Sequence, residues 1–291
     1  MSSPFTSSTY ERSIATIKKG LNFQEPDNDF LVLTDAVIDW IDNSKYAVNT
    51  KKTFYIAIVS TLKKNPNAPN LIALEKYRAK MDALNKQVQD TMEEQKLSPA
   101  EELKYMEWPQ ILEVYEKIRL AVHDLWSFQD YLIVSLYVLQ RPMRLDYADM
   151  KVCTIPPKNP TSNYLVWPLG NAKPYFVFSE YKTVKKWGVS QSPPLPQELC
   201  DIIRTWLTLV DDEYLLIGGN DDGLPMKAAE LGQRIIRIFE KHSGKSVGVN
   251  ILRHSYESFR RKGEMSFKES AELARQMGHS QTMSQLYRRL T

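Results

Sequence analysis

Three strings near the end of the chain decide its reading: Asn250-Ile-Leu-Arg-His-Ser-Tyr-Glu-Ser258, Leu273-Ala-Arg-Gln-Met-Gly-His-Ser280 and Met283-Ser-Gln-Leu-Tyr-Arg-Arg289. They place Arg253 at the start of a helical pattern, a Gly-His turn 26 residues later, and Tyr287 another 8 residues on. Taken singly, each has an ordinary explanation. Arg253 would be a surface charge, Gly278-His279 a helix C-cap, and Tyr287 a packing residue on an amphipathic helix. Their joint occurrence in one short basic segment is harder to assign to accident. Residues 241–291 hold ten Lys/Arg against four Asp/Glu, whereas the whole chain of 291 residues nets only +3. A basic tail on a near-neutral body suits a polyanionic partner.

Working outward, the bulk composition is that of a globular protein, with 43% hydrophobic and 25% charged residues. The longest apolar stretch, Tyr131–Leu139, is too short to span a bilayer, so no membrane association is expected. The first residues, Met1-Ser-Ser-Pro-Phe-Thr-Ser-Ser-Thr-Tyr-Glu-Arg-Ser13, have no apolar core of the secretory kind. Cys153 and Cys200 stand alone, with neither a metal-ligand spacing nor a disulfide framework. An intracellular, reducing location is expected. Asp211, Asp212, Glu213, Asp221 and Asp222 flank a Gly/Asn-rich loop and read as solvated turn residues, so no metal is expected.

Periodicity divides the chain. Residues 1–13 are Ser/Thr-rich and read as loose. Leu31, Leu33, Ala36, Val37, Trp40 and Ile41 recur at helical spacing, and Thr50 offers a cap for a following helix carrying Phe54, Ile56, Ala57, Val59 and Leu62. A break at 65–69 precedes a long charge-laced helix over Leu71–Gln95. Ser98-Pro-Ala-Glu101 has the cap, proline and glutamate of a helix start. A boundary near 96–106 gives an N-terminal helical domain, 1–105, and a second domain, 106–291. The second should hold helices at Trp108–Val122, Trp126–Leu139, Gln197–Val210, Met226–His242, Leu252–Lys262 and Phe267–Met277. Strands at Tyr164–Pro168 and Tyr175–Ser179, with a basic segment ending at Pro196, predict a small three-stranded antiparallel sheet. The fold class is mainly α with that sheet added.

Leu252-Arg-His254, Met277-Gly-His-Ser280 and Tyr287 together resemble the second half of the tyrosine recombinase (phage integrase) motif. The family has an earlier arginine just after an apolar helix, and Gln140-Arg-Pro-Met-Arg-Leu-Asp-Tyr147 follows the helix ending at Leu139. Arg144 fits that place best, with Arg141 as the alternative. The family also has a lysine on a β-hairpin, where Glu180-Tyr-Lys-Thr183 puts Lys182, with Lys185 and Lys186 as rivals. The resemblance covers about 110–291. It is nearest to integrases of virophages, polinton-like elements and large DNA viruses of eukaryotes, which would place the protein in a host nucleus or a cytoplasmic viral factory.

The resemblance implies a two-domain clamp that cuts and rejoins double-stranded DNA through a 3′-phosphotyrosyl link, without metal, ATP or other cofactor. Four protomers would act on paired sites for integration or excision. With four residues after Tyr287, subunit contacts would use surfaces other than a long tail. Arg144 and Arg253 would hold the phosphate bidentately, and His279 would add a hydrogen bond. Tyr287 would be the nucleophile, and Lys182 the acid that protonates the leaving 5′-oxygen. Lys51, Lys52, Lys63 and Lys64 are expected phosphate contacts of the front domain. Two positions depart from the pattern. Asn250 stands where the family usually has His, and an amide cannot exchange a proton at neutral pH. Tyr147 stands where a Glu often supports the first arginine, with Asp146 and Asp149 as neighbouring substitutes. Two other readings share these residues: a type IB topoisomerase, and a DNA-binding relative impaired in catalysis.

Overall fold

The structure is a computed structural model, and it describes residues 4–24, 27–64, 66–219, 224–261 and 267–277. The chain divides into two compact units, 1–94 and 95–291. Among the described residues, no helix is long and apolar enough to cross a membrane.

The first unit is helical: α1 (Pro4–Gly20), a single 3₁₀ turn (Asp29–Val32), α2 (Thr34–Asn43), α3 (Val48–Leu62) and α4 (Ala68–Glu93). The expectation that 1–13 is loose fails from Pro4 onward. Ile14 and Ile17 bury one face of α1, and that packing carries the helix back through the Ser/Thr-rich segment. Helix α3 starts at Val48 rather than under a Thr50 cap, with Ala47 at its N-cap position, so Thr50 lies within the first turn. The break before α4 is real. Asn67 caps the helix by accepting from the Asn70 amide at 2.9 Å, and a proline stands in the first turn. Leu31, Val37, Ile41, Phe54, Tyr55, Ile58, Leu74 and Tyr77 form the core of this unit.

The second unit opens with the short α5 (Pro99–Glu102), whose Ser98–Glu101 capping box is fully formed. It continues through α6 (Trp108–Leu120) and α7 (Leu125–Val138), then strands β1 (Lys151–Cys153), β2 (Tyr164–Val166) and β3 (Tyr175–Phe178). Next come α8 (Val184–Trp187), β4 (Ser190–Gln191), α9 (Gln197–Leu209), α10 (Ala228–Ser243), α11 (Val249–Arg260) and α12 (Phe267–Gln276). Gly244 ends α10 in the left-handed region, at φ 72°, where a side chain would be strained.

The sheet corrects the expectation. It has four strands in the order β1-β2-β3-β4, and the β1–β2 pair is parallel, so the sheet is mixed. β1 escaped notice because its three residues are all half-buried and show no apolar alternation. β2 and β3 pair antiparallel as predicted, with Leu165 opposite Phe176. The basic segment after β3 is interrupted by α8 before β4 closes the sheet. Phe176 and Phe178 turn to the core, where Tyr147 packs edge-on against both and against Tyr137. This aromatic cluster lies under the loop that joins α7 to β1, and it carries that loop toward the site.

Candidate functional site

The loop after α7 carries both candidate first arginines. Helix α7 is held at its start by Asp124, which accepts from the Ser127 amide at 2.7 Å. Its far end leads into Arg141-Pro-Met-Arg144. Tyr137 donates its hydroxyl to the Arg144 carbonyl at 2.7 Å, and the Arg144 amide donates to Asp146 Oδ2 at 3.2 Å. The loop is therefore shaped from below by a buried tyrosine and from within by Asp146.

Arg253 meets this loop from α11. It is 0% exposed, and one Nη donates to the Pro142 carbonyl at 2.6 Å while the other donates to the Met277 carbonyl at 3.0 Å. One guanidinium thus joins three segments: the Arg144 loop, α11 and the end of α12. Asp146 lies near enough to both arginines to feel their charge. Burial pushes its carboxyl above the usual carboxylate range, and the nearby positive charges of Arg144 and then Arg253 oppose that rise. Of the three residues near the expected support position, Asp146 is the one whose carboxylate contacts the Arg144 backbone. Tyr147 fills the core instead, and Asp149 turns away to pair with Lys227 at 2.9 Å.

Arg141 takes a different path. Burial lowers its pKa, opposed by the nearby Tyr256 hydroxyl and Glu272. With Tyr256, Glu272, Arg275 and the β4 edge at Ser190–Ser192 it lines a cleft of 370 Å³. Tyr256 packs edge-on against Trp108 at 5.0 Å, so it belongs to the wall of the unit. Of the two arginines, Arg144 is the one that, with Arg253, lies in the electrostatic reach of Asp146.

Lys182 lies on the β3–α8 connection and is exposed. Among the described residues its side chain has no hydrogen-bond or ion-pair partner. Its rival Lys186 lies over the Trp187 ring, 4.9 Å from the centroid. The backbone ahead of Lys182 is held by Asn163, which is 6% exposed. Asn163 Nδ2 donates to the Asp146 carbonyl at 2.8 Å and to the Glu180 carbonyl at 2.9 Å. Its Oδ1 accepts from the Ser179 amide at 3.0 Å and the Glu180 amide at 2.9 Å. Nothing in the sequence singled out Asn163, which reads there as a turn residue before a strand.

Asn250 sits exposed in the first turn of α11, one turn ahead of Arg253 and so on the same side of the helix. Helices α11 and α12 are joined through Arg261 at the end of α11, which is ion-paired to Glu257 of its own helix. Arg261 donates to Glu257 at 3.0 Å, with Glu257 0% exposed, and also to the Ser270 hydroxyl at 3.0 Å. His279 and Tyr287 lie outside the described residues. In the first unit, Lys51 and Lys52 lie in the opening turns of α3 and Lys63 and Lys64 just past its end. Lys51 donates to the Asp42 carbonyl at 2.7 Å, while Lys63 and Lys64 are exposed.

The structure therefore links buried Arg253 to the loop that carries half-buried Arg144, and links that loop through Asn163 to the connection that carries exposed Lys182, with Asn250 a turn ahead of Arg253 on α11. Asp146 lies within the electrostatic reach of both Arg144 and Arg253, and its carboxylate accepts from the Arg144 backbone amide. No family model and no curated protein matches the sequence. Among solved structures the fold is similar to that of XerH site-specific recombinase bound to palindromic difH substrate, in a post-cleavage complex. Identity there is 14%, the TM-score is 0.55, and the match covers 97% of this chain and 74% of that one. XerA recombinase is a more distant likeness, at 14% identity and a TM-score of 0.45, covering 100% of this chain and 88% of that one. The likeness to XerH is one of fold.

Proposed function

We propose that the chain is a tyrosine recombinase, an enzyme that cuts one strand of double-stranded DNA and rejoins it through a covalent 3′-phosphotyrosyl intermediate. The observation that carries this reading is buried Arg253 bound to the loop that bears Arg144, a loop tied through Asn163 to the Lys182 connection, within a fold similar to XerH. Arg144 and Arg253 bind the non-bridging phosphate oxygens, and their charge persists as negative charge grows in the transition state. Asp146 orients them. Arg253 is covered, so the Met277 carbonyl gives up its hydrogen bond when a phosphate oxygen takes the guanidinium. His279 adds a donor to the same phosphate.

The Tyr287 oxygen attacks phosphorus, the bond to the 5′-oxygen breaks, and Lys182 gives that oxygen its proton. Asn250 donates a hydrogen bond, and the tyrosine proton leaves to water or to a phosphate oxygen. The reverse steps rejoin the strand using the bond energy kept in the tyrosyl ester, so no nucleotide is consumed. Exposed lysines on the N-terminal unit bind phosphates without reading sequence. Four protomers on two sites, acting for a virus or mobile element, complete the proposal.

The test is a nicked duplex library of random sequence, in which a cut strand loses its short end and traps the enzyme on DNA. A covalent adduct whose DNA-linked peptide contains Tyr287 supports the reading, and attachment at Tyr256 or elsewhere overturns the assignment. A second reading, a DNA-binding relative without catalysis, draws on the covered Arg253 and on Asn250. It predicts duplex binding with no adduct.

A further inference from the structure

We infer that Asn163 is a positioning residue for the reaction proposed above, holding the Lys182 connection in place against the Arg144 loop. The inference rests on that reading and concerns a residue outside the motif. Lys182 has no side-chain partner among the described residues, so only its backbone can set where its ammonium begins its reach. That backbone is fastened two residues earlier, where Asn163 donates to the Glu180 carbonyl at 2.9 Å and accepts from the Glu180 amide at 2.9 Å. The same side chain donates to the Asp146 carbonyl at 2.8 Å, two residues after Arg144. One amide therefore spans the two segments that must present a donor acid and a phosphate clamp to the same phosphodiester.

The chemistry of the site selects asparagine. A primary amide has two N–H donors and two acceptor lone pairs, and Asn163 uses all four on backbone groups. The side chain is buried, so water does not substitute for a lost bond at low cost. Aspartate has the same shape but loses both donors, and it sets a carboxylate against the Asp146 and Glu180 carbonyl oxygens. The strand pairing around it is independent of the side chain, because the Asn163 carbonyl accepts from the Lys151 amide at 2.9 Å through the main chain. Loss of the amide should therefore loosen the connection at 179–183 while the sheet persists.

The experiment uses the full chain and the sequence captured from the nicked random library, made with either an ordinary 5′-oxygen or a bridging 5′-sulfur at the cut. Sulfur leaves without protonation, so it removes the need for the acid. Single-turnover cleavage by Lys182→Ala should fall by about a hundredfold on oxygen and recover on sulfur. Asn163→Asp should fall by about tenfold on oxygen, the weight of roughly one well-placed hydrogen bond, and recover to within about threefold of the parent on sulfur. Arg144→Ala should stay slow on both. If Asn163→Asp is equally slow on both substrates, its role is general support and the inference is overturned. Parent-like cleavage of both substrates overturns it as well.

Rescue of Lys182→Ala without rescue of Asn163→Asp removes the inference and leaves the recombinase reading standing. Absence of any adduct with the parent enzyme removes both. Should Asn163→Asp fail to fold, Asn163→Ser, which keeps one donor and one acceptor at shorter reach, carries the same comparison.

Discussion

The two units bury different chemistry. Among the described residues of 1–94, the buried polar side chains are Ser13 and Thr34, and the charged groups form exposed pairs such as Lys76–Asp35 at 2.9 Å. In 95–291 the buried set includes Gln129, Asn163, Arg253 and Glu257. Burying such groups costs free energy unless each finds partners, so a chain seldom accumulates them for stability alone. Their partners here are specific. Gln129 accepts from the Ile217 amide at 2.8 Å, Asn163 serves four backbone groups, and Arg253 bridges two carbonyls. Polar burial marks the unit whose polar groups are fixed in place, whereas the charges of the other unit stay in solvent.

That contrast breaks if substitutions in the two units have the same effect. The largest expected change is at Arg144. Arg144→Ala should slow single-turnover cleavage by about two orders of magnitude or more, as the loss of one transition-state donor does. Duplex affinity should fall far less, because many other phosphate contacts remain. Arg141→Ala should cleave near the parent rate, since its side chain belongs to the cleft with Tyr256. The reverse result would transfer the first-arginine role to Arg141.

In the other unit, paired Lys63→Ala and Lys64→Ala should do the opposite. Affinity for duplex should fall, and the slope of log K against log salt should become shallower by about 1.8, at 0.9 per lost contact. Cleavage at saturating protein should hold at the parent rate. The Lys51, Lys52 pair should lose less, because Lys51 already serves the Asp42 carbonyl. If the lysine variants instead slow cleavage at saturation, the division of labour between the units is wrong.

Asn250 sharpens the comparison at the edge of the site. It is exposed and in the proposed reaction donates one neutral hydrogen bond, so Asn250→Ala should cost about tenfold in cleavage. Asn250→His should cleave equally fast or faster, because an imidazole can both donate and take a proton. Rates between about pH 6 and 9 bracket the histidine pKa and would show the difference. An inactive but folded and DNA-binding Asn250→His would mean that the site is built around the amide.

How much of this was legible beforehand follows the same division. Helices with an apolar face, such as α9 and α10, could be placed from spacing alone, and so could the β2–β3 pairing. Arg144 and Arg253 could be singled out because the motif orders them along the chain, whereas the contact of Arg253 with the loop before Arg144 appears only in the fold. Asn163 could not, because its partners lie 16 or 17 residues away, on both sides, and are all main-chain groups. Main-chain partners leave no trace in residue types. Asp146, Asp149 and Tyr147 could not be ranked by residue type, because their different burial and partners arise only in the fold. Helix α1 was missed because Ser and Thr argue locally against a helix, whereas Ile14 and Ile17 argue for it only once a core exists to receive them.

Asp146 gives the smallest effect and the most discriminating sign. Its pKa is raised by burial despite two neighbouring arginines, so the folded protein binds that proton more tightly than the unfolded chain. Ionised Asp146 is therefore a net cost to folding. The cost is absent below the unfolded carboxylate pKa, and it grows as pH rises toward the folded value and then levels off. Asp146→Asn removes the charge and keeps an oxygen able to accept from the Arg144 amide. Its melting temperature should match or exceed the parent's near neutral pH, and the difference should shrink as pH falls through the ordinary carboxylate range. Cleavage should nonetheless be slower, because the counter-charge that orients Arg144 and Arg253 is gone. Stability and activity then move in opposite directions at one residue, as expected where a charge is kept for position rather than for folding. Thermal melts from about pH 4 to 7 alongside single-turnover rates test both halves, the range spanning the ordinary carboxylate titration. A variant that is less stable than the parent at neutral pH would show that the two arginines outweigh burial, and that Asp146 belongs to the framework.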